Sequence, residues 1–147
     1  MKTCGAFFGT TKVIPVETVE EILETHYEMA NRFRIGFWSI AHPIRRPEDA
    51  IEGFVRFRPV EGGAELELLY GIRREWWGKG IATAASQAAL EYLWRSTHFD
   101  RVRASTDLPN VRSREVMKRL GMRWLKETDA LITYALDRPT DQGKPLG

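Results

Sequence analysis

The chain has 147 residues, of which 43% are hydrophobic and 29% are charged, as is ordinary for a soluble globular domain. Its 22 basic and 20 acidic residues leave a net charge of +2, too small an excess to indicate nucleic acid as the main partner. No run approaches the roughly 20 apolar residues of a membrane span. The composition therefore excludes a membrane protein and disfavours a nucleic-acid-binding protein.

Cysteine and histidine usage gives two further expectations. The single cysteine, Cys4, cannot form an internal disulfide, which is typical of a reducing compartment and predicts a cytoplasmic protein. The histidines, His26, His42 and His98, are scattered without the spacing of metal ligands. We therefore expect no metal site.

The first half of the chain predicts one helix and three strands. Residues 16–33 repeat apolar side chains at three- and four-residue steps, which is typical of an amphipathic helix. Residues 35–43 favour a strand that ends at a proline. Residues 50–60 and 64–72 contain alternating apolar and charged side chains on either side of a Gly-Gly turn, which predicts an antiparallel hairpin.

An alanine-rich helix is predicted over residues 80–99, directly after the glycines of the segment Gly78-Lys79-Gly80. Its small residues would allow a close approach to a sheet. We expect one face to pack on the sheet, formed by Ile81, Ala84, Ala85, Ala88 and Tyr92.

The rest of the chain continues the alternation of strands and helices. A strand over 100–106 precedes a helix over 111–120, which Asn110 caps and Gly121 ends. Because the strands at 64–72 and 100–106 flank one helix, they form a βαβ crossover and run parallel. Two final strands are predicted, over 122–127 and 130–137.

This order predicts an α/β (mixed α+β) fold in one domain, with a mostly antiparallel sheet flanked by helices. The domain is expected to span residues 1–137. Residues 138–147 contribute no core side chains to the pattern, so we expect a disordered tail there.

The glycine-bracketed loop lies where a phosphate-binding site would be built. The first N–H groups of a helix lack intrahelical partners and favour an anion, and glycine lets that anion lie on the backbone. Lys79 adds a positive charge. Gly80 after the lysine excludes a Walker A loop, and Thr83 excludes a dinucleotide fingerprint. The alternative is a plain turn before a helix.

Two ordered segments carry a family resemblance. The first runs from Trp77 to Ala82, and the second contains Asn110, Ser113 and the segment Leu120-Gly121-Met122. Together they resemble the GNAT acyltransferase superfamily, and more narrowly the branch with the ribosomal-protein N-terminal acetyltransferases. The resemblance covers roughly residues 16–137. Trp77 departs from the Arg or Gln of the acyl-CoA signature, although Trp is a common variant in this branch.

The resemblance implies acetyl-CoA as co-substrate. Backbone N–H groups of the loop would hold its pyrophosphate, and main-chain groups of Ile72 would pair with the pantetheine arm and polarise the acetyl carbonyl. The Ile72 strand would splay from strand 100–106. Asn110 would bond the pantetheine; its alternative role is a helix cap alone. The implied binding residues are Ile72, Trp77, Gly78, Lys79, Gly80, Ile81, Ala82, Thr83 and Asn110.

The catalytic residues follow from the resemblance with one departure. Many members carry a tyrosine acid where this chain has Met117. Ser113 then becomes the candidate acid that protonates the departing sulfur, with a solvated helix serine as the alternative. Glu67, which shares a strand face with Glu65, is the candidate base. Its alternatives are a solvent-facing hairpin position and a water chain.

The implied activity is acetyl transfer to a primary amine, which could belong to a protein N-terminus, a polyamine, an aminoglycoside or another small molecule. An acyl-CoA-binding module without turnover and a small nucleic-acid-binding domain are the rivals. Family members carry a strand and a helix ahead of the region matching residue 16. We therefore expect a shortened start, with a sheet edge that a second subunit of a homodimer would cover.

Overall fold

The computed structural model describes residues 16–41 and 51–141. Every predicted helix and strand is present within these ranges, with ends that differ by a few residues. None of the helices in this part of the chain is long and apolar enough to cross a membrane. The elements are α1 Val16–Phe33, β1 Phe37–Ile40, β2 Gly53–Pro59, β3 Leu66–Ile72, α2 Ile81–Ser96, β4 Arg101–Asp107, α3 Val111–Arg119, β5 Arg123–Glu127 and β6 Leu131–Asp137.

The strands of the described residues form one sheet in the order β1-β2-β3-β4-β6-β5. β3 and β4 run parallel, and the other neighbouring pairs run antiparallel. Helix α2 connects the parallel pair, because a parallel connection needs a long crossover. The predicted mixed, mostly antiparallel sheet with one βαβ crossover is therefore confirmed.

The parallel strands β3 and β4 pair only near their amino ends. β3 and β4 pair at Leu66 with Val102 and at Glu67 with Arg103. On its other side, β3 pairs with β2 along its whole length, from Leu66 to Ile72. Beyond Glu67, β3 and β4 diverge toward their carboxyl ends. The predicted splay between these two strands is therefore confirmed, and it opens a cleft in the sheet.

The face that α2 presents to the sheet differs from the predicted one. Ala84 and Ala88 are exposed, whereas Leu90 and Leu93 are buried. The prediction followed the small residues, but turning leucine and tryptophan side chains inward removes more apolar area from water. The predicted face is therefore wrong at Ala84 and Ala88, whereas Ala85 and Tyr92 of the predicted set do pack against the core. The buried residues of α2 are Ser86, Ala89, Leu90, Leu93 and Trp94.

Arg138, the first residue of the predicted tail, closes the carboxyl end of α2. Its guanidinium donates to the main-chain oxygens of Trp94 at 2.7 Å, Thr97 at 2.6 Å and Phe99 at 2.8 Å. It also lies 5.2 Å from the centre of the Trp94 ring. The carbonyl groups at a helix end lack intrahelical partners, so Arg138 supplies the missing donors. Residues 142–147 of the predicted tail lie outside the described residues.

Replacing Arg138 with alanine should lower the free energy of unfolding by about 3 kcal/mol, because several charged hydrogen bonds to buried carbonyls are lost together. Arg95→Ala is the matched control, since Arg95 lies exposed on the last turn of α2 and donates to the Glu91 main-chain oxygen. It should cost less than about 0.5 kcal/mol. Urea unfolding measures both values, and similar losses would show that Arg138 does not hold this helix end.

Candidate active site

A cavity of about 760 Å³ opens where β3 and β4 diverge. Its walls come from the end of β3, the glycine loop, the first turn of α2 and the start of α3. This volume is in the range of pockets that bind small molecules and cofactors. Most of the predicted site residues line it, namely Ile72, Trp77, Gly78, Gly80, Ile81, Ala82, Thr83, Asn110 and Ser113.

The glycine loop gives the cavity a bare main-chain wall. Gly78 and Gly80 have φ angles of 76° and 73°, in the left-handed region that glycine adopts without strain. A Cβ atom added at either position would meet no atom within 4 Å. Gly80 precedes α2, and no side chain caps this helix. The loop therefore offers its backbone and the start of α2 to a ligand.

Thr83 adds a hydroxyl group to this wall. Its Oγ1 atom is buried and has no hydrogen-bond partner among the described residues. A buried polar group without a partner is costly, and such groups often mark the place of a ligand or ion. With the first main-chain N–H groups of α2, this hydroxyl makes a donor set that fits a phosphate or pyrophosphate group.

Trp77 connects the glycine loop to the end of β3 and to α3. Its indole N–H donates to the main-chain oxygen of Ile72 at 2.9 Å. The guanidinium groups of Arg74 and Arg112 lie 5.8 Å and 4.9 Å from the centre of its ring. At this position the side chain therefore fixes the loop against the end of β3. Arg112, which the sequence did not single out, connects it to α3.

Both cationic residues of the cavity lining belong to α3, and the lining also contains two acidic residues, Asp107 and Glu115. The Lys79 ammonium lies 4.9 Å from the centre of the Trp76 ring, and the residue is exposed outside the cavity lining. A cation is attracted to the face of an indole ring, which explains this position. Arg112 and Arg119 are the cationic lining residues. Within the described ranges, no group of three or more His, Cys, Asp or Glu residues could hold a metal ion.

Asn110 caps α3 as predicted. Its Oδ1 atom accepts a hydrogen bond from the main-chain N–H of Ser113 at 3.1 Å. Asparagine is favoured at this position because it satisfies an N–H group that the helix cannot. The cap places the first turn of α3, and with it Ser113, at the cavity wall.

Ser113 is buried and bonded to a tyrosine that the sequence reading missed. Its hydroxyl lies 2.7 Å from that of Tyr70, which also donates to the Ser113 main-chain oxygen at 3.0 Å. The exposed fractions are 3% for Ser113 and 2% for Tyr70, so Ser113 is not a solvated helix serine. Burial raises the pKa of Tyr70 above its ordinary value, and the hydrogen bond with Ser113 offsets part of that rise.

The sequence held one signal for Tyr70. Side chains two residues apart point to the same face of a strand, so Tyr70 shares the face of Ile72. A tyrosine in a strand that is otherwise aliphatic on that face brings a hydroxyl group into the core, where it needs a partner. The identity of that partner depends on the long-range approach of α3, which the local pattern does not give.

Glu67 lies away from the cavity, contrary to its predicted role as base. It points to the face of β3 opposite Tyr70 and Ile72. Both the Nε and Nη2 atoms of Arg58, on the neighbouring strand, lie 2.6 Å from its carboxylate. Glu65 is likewise paired, with Arg103. Opposite charges on adjacent strands attract each other, which accounts for this arrangement. Glu67 therefore does not enter the site described here.

Comparison with known proteins gives a family match and two curated relatives. Residues 3–123 match the family model of the acetyltransferase (GNAT) domain. The uncharacterized N-acetyltransferase YnaD of Bacillus subtilis (strain 168) is 34% identical over 80 residues, which cover 54% of this chain and 47% of that protein. The ribosomal protein uS5-alanine N-acetyltransferase of Escherichia coli (strain K12) is 36% identical over 76 residues, 50% of this chain and 39% of that protein. The chain thus matches less than half the length of either.

A solved structure shows the same fold. The ribosomal-protein-S5-alanine acetyltransferase of Vibrio fischeri superposes with a TM-score of 0.69, at 17% sequence identity. The alignment covers 86% of this chain and 74% of that one. At this identity, the likeness concerns the arrangement of helices and strands alone.

Replacing Asn110 with alanine should lower the free energy of unfolding by about 1 kcal/mol, because the first turn of α3 loses its cap. Asn110→Asp is the matched variant, since it keeps an oxygen that accepts from the Ser113 N–H. It should therefore retain most of the stability of the wild type. Urea unfolding compares the three proteins, and an equal loss in both variants would show that the cap is not what Asn110 contributes.

Proposed function

This chain belongs to the GNAT acetyltransferase family, and we propose on that basis that it is an acetyl-CoA-dependent N-acetyltransferase acting on a primary amine. The observation that carries the proposal is the cavity between β3 and β4. It combines a bare main-chain wall at Gly78 and Gly80, an unpartnered buried hydroxyl at Thr83, and the buried hydroxyl of Ser113. A phosphate-bearing acyl donor needs the first two features, and acyl transfer can use the third.

The residues of the cavity fit acetyl-CoA as the donor. The main-chain N–H groups of residues 80–83 and the Thr83 hydroxyl would hold the pyrophosphate. Arg112 and Arg119, which line the cavity together with the acidic Asp107 and Glu115, would add positive charge near this anion. Main-chain groups of Ile72 would pair with the pantetheine arm. The Ile72 oxygen can accept from both Trp77 and a ligand, because a carbonyl has two lone pairs.

Proton transfers limit which residues act in catalysis. The amine must lose a proton overall, and the sulfur of the departing thiol must gain one. Ser113 is the acid in this proposal because it is a hydroxyl-bearing residue of α3 that lines the cavity. The Ile72 N–H would polarise the acetyl carbonyl. With Glu67 paired to Arg58 on the far face of β3, a chain of water molecules to bulk solvent removes the proton from the amine.

The names of two matched proteins indicate the first acceptor to test. Both are described as acetylating the alanine of a ribosomal protein, which supports the α-amino group of a peptide. Polyamines, aminoglycosides and other small amines complete the acceptor class. A cytoplasmic location and a homodimer that covers the edge of β1 are further parts of the proposal. Cell fractionation and light scattering would test them.

A module that binds acyl-CoA without turnover is the second candidate. Met117 favours it, because this side chain is fully buried at the position where many family members carry a tyrosine acid. In that case the cavity would bind the donor, but neither thiol release nor acetylated product would follow. The two candidates make the same prediction for donor binding and opposite predictions for turnover.

Thermal unfolding with acetyl-CoA, coenzyme A, ATP and NAD in parallel tests the donor site. Acetyl-CoA and coenzyme A should raise the melting temperature, since a ligand at about 100 times its Kd adds roughly 2.7 kcal/mol to stability. ATP and NAD should raise the melting temperature less than acetyl-CoA and coenzyme A do. Thiol release with an alanine-starting peptide, spermidine and an aminoglycoside then tests turnover. Donor binding without release on any amine would favour the binding module, and no donor binding would overturn both candidates.

Replacing Gly80 with glutamate should abolish coenzyme A binding, because it places a carboxylate where the pyrophosphate would lie. Gly63→Glu is the matched control. Gly63 has the same φ angle of 73° and equally open surroundings, but it lies in the turn between β2 and β3. Both variants place a side chain at the same positive φ, so calorimetric titration compares their effects on the ligand. Equal affinity in the two variants would remove the loop from the donor site.

A further inference from the structure

The hydroxyl groups of Tyr70 and Ser113 link β3 to α3 inside the cavity wall. They lie 2.7 Å apart, both residues line the cavity, and both are almost fully buried. The Tyr70 hydroxyl also donates to the main-chain oxygen of Ser113 at 3.0 Å. Two bonds therefore hold one residue of the strand against one residue of the helix, at the site where the proposed acid acts.

Each hydroxyl group of this pair has one proton, and either can donate in the bond between them. Tyr70 has one hydroxyl proton, and a main-chain oxygen can only accept. While Tyr70 donates to that oxygen, the bond between the two hydroxyl groups is donated by Ser113. Ser113 must turn its proton away from Tyr70 before another acceptor can take it. Tyr70 can then turn its own proton toward the Ser113 Oγ atom, which is the nearer of its two partners.

We propose that Tyr70 is the positioning residue for Ser113: its hydroxyl orients the serine hydroxyl and hydrogen-bonds the serine oxygen as the proton leaves. This inference rests on the proposed acetyl transfer. In that reaction, the amine nitrogen bonds to the acetyl carbon, the carbon–sulfur bond breaks, and its electron pair stays on the sulfur. Ser113 gives that sulfur a proton and regains, through water, one that the nitrogen releases.

Tyr70 begins and ends this sequence with its proton. Burial raises the pKa of its phenol, so giving the proton up would leave an unfavourable buried phenolate. Its contribution is a hydrogen bond to an oxygen that becomes more negative during the transfer. Such a bond strengthens as charge develops, and it therefore favours the transition state over the ground state.

Unfolding of the ligand-free protein tests the link between the two hydroxyl groups. Tyr70→Phe and Ser113→Ala each remove one partner of the same bond, so the double variant should lose less stability than the sum of the single losses. Tyr134→Phe is the matched control, because Tyr134 is buried on β6 and lies outside the cavity lining. Its effect should add to that of Ser113→Ala. Additive losses for Tyr70→Phe and Ser113→Ala would overturn the link.

Kinetics test the positioning role. Tyr70→Phe should lower kcat about tenfold, the value of one hydrogen bond, and leave the Kd for acetyl-CoA within about twofold. In the Ser113→Ala background it should lower kcat no further, whereas Tyr134→Phe should leave kcat unchanged. A kcat of Tyr70→Phe near that of an active wild type would overturn this inference alone. So would a loss of kcat on adding Tyr70→Phe to Ser113→Ala that equals its loss in the wild type. A wild type without turnover on any amine would overturn it together with the proposed activity.

Discussion

The divergence of β3 and β4 is the constraint on which the site depends. The strands pair only at Leu66 and Glu67, although both continue well beyond that point. Main-chain groups that leave a ladder need other partners, because an unpaired buried N–H or carbonyl group is costly. The Trp77 indole meets part of this need by donating to the Ile72 oxygen. The cleft is thus a place where the sheet exposes main-chain groups to a ligand.

The walls of the cleft are held by side chains that cross it or border it. Trp77 fixes the glycine loop to β3, Asn110 fixes the first turn of α3, and the pair of Tyr70 and Ser113 joins β3 to α3. Each contact is a hydrogen bond made before any ligand arrives. A site whose supporting contacts already exist loses less conformational freedom on binding. The divergence of the strands therefore opens the cavity, and these hydrogen bonds hold its walls in place.

The parts of the fold and site that local chemistry dictates could be predicted from the sequence. The alternation of apolar and charged side chains predicted the hairpin. The positive φ angles of the glycines and the helix cap at Asn110 follow from the conformations that these residue types favour. The failures involve contacts between elements. Glu67 pairs with Arg58, which lies directly opposite it on β2, and Tyr70 meets Ser113 of α3. The buried face of α2 was also predicted incompletely. The large side chains Leu90, Leu93 and Trp94 determine which face packs on the sheet, whereas the prediction followed the alanines.

The burial of Met117 bears on which group can act as the acid. Met117 and Ser113 are one helical turn apart, and both are buried on the inner face of α3. With methionine at position 117, α3 offers Ser113 as its hydroxyl on this face. The phenol that borders the site comes from β3 instead, and burial raises its pKa above the ordinary value. Tyr70 holds the hydroxyl of Ser113 in place through the hydrogen bond between the two side chains. Since Tyr70 belongs to the diverging strand, the strand whose divergence opens the cavity also positions the proposed acid, Ser113.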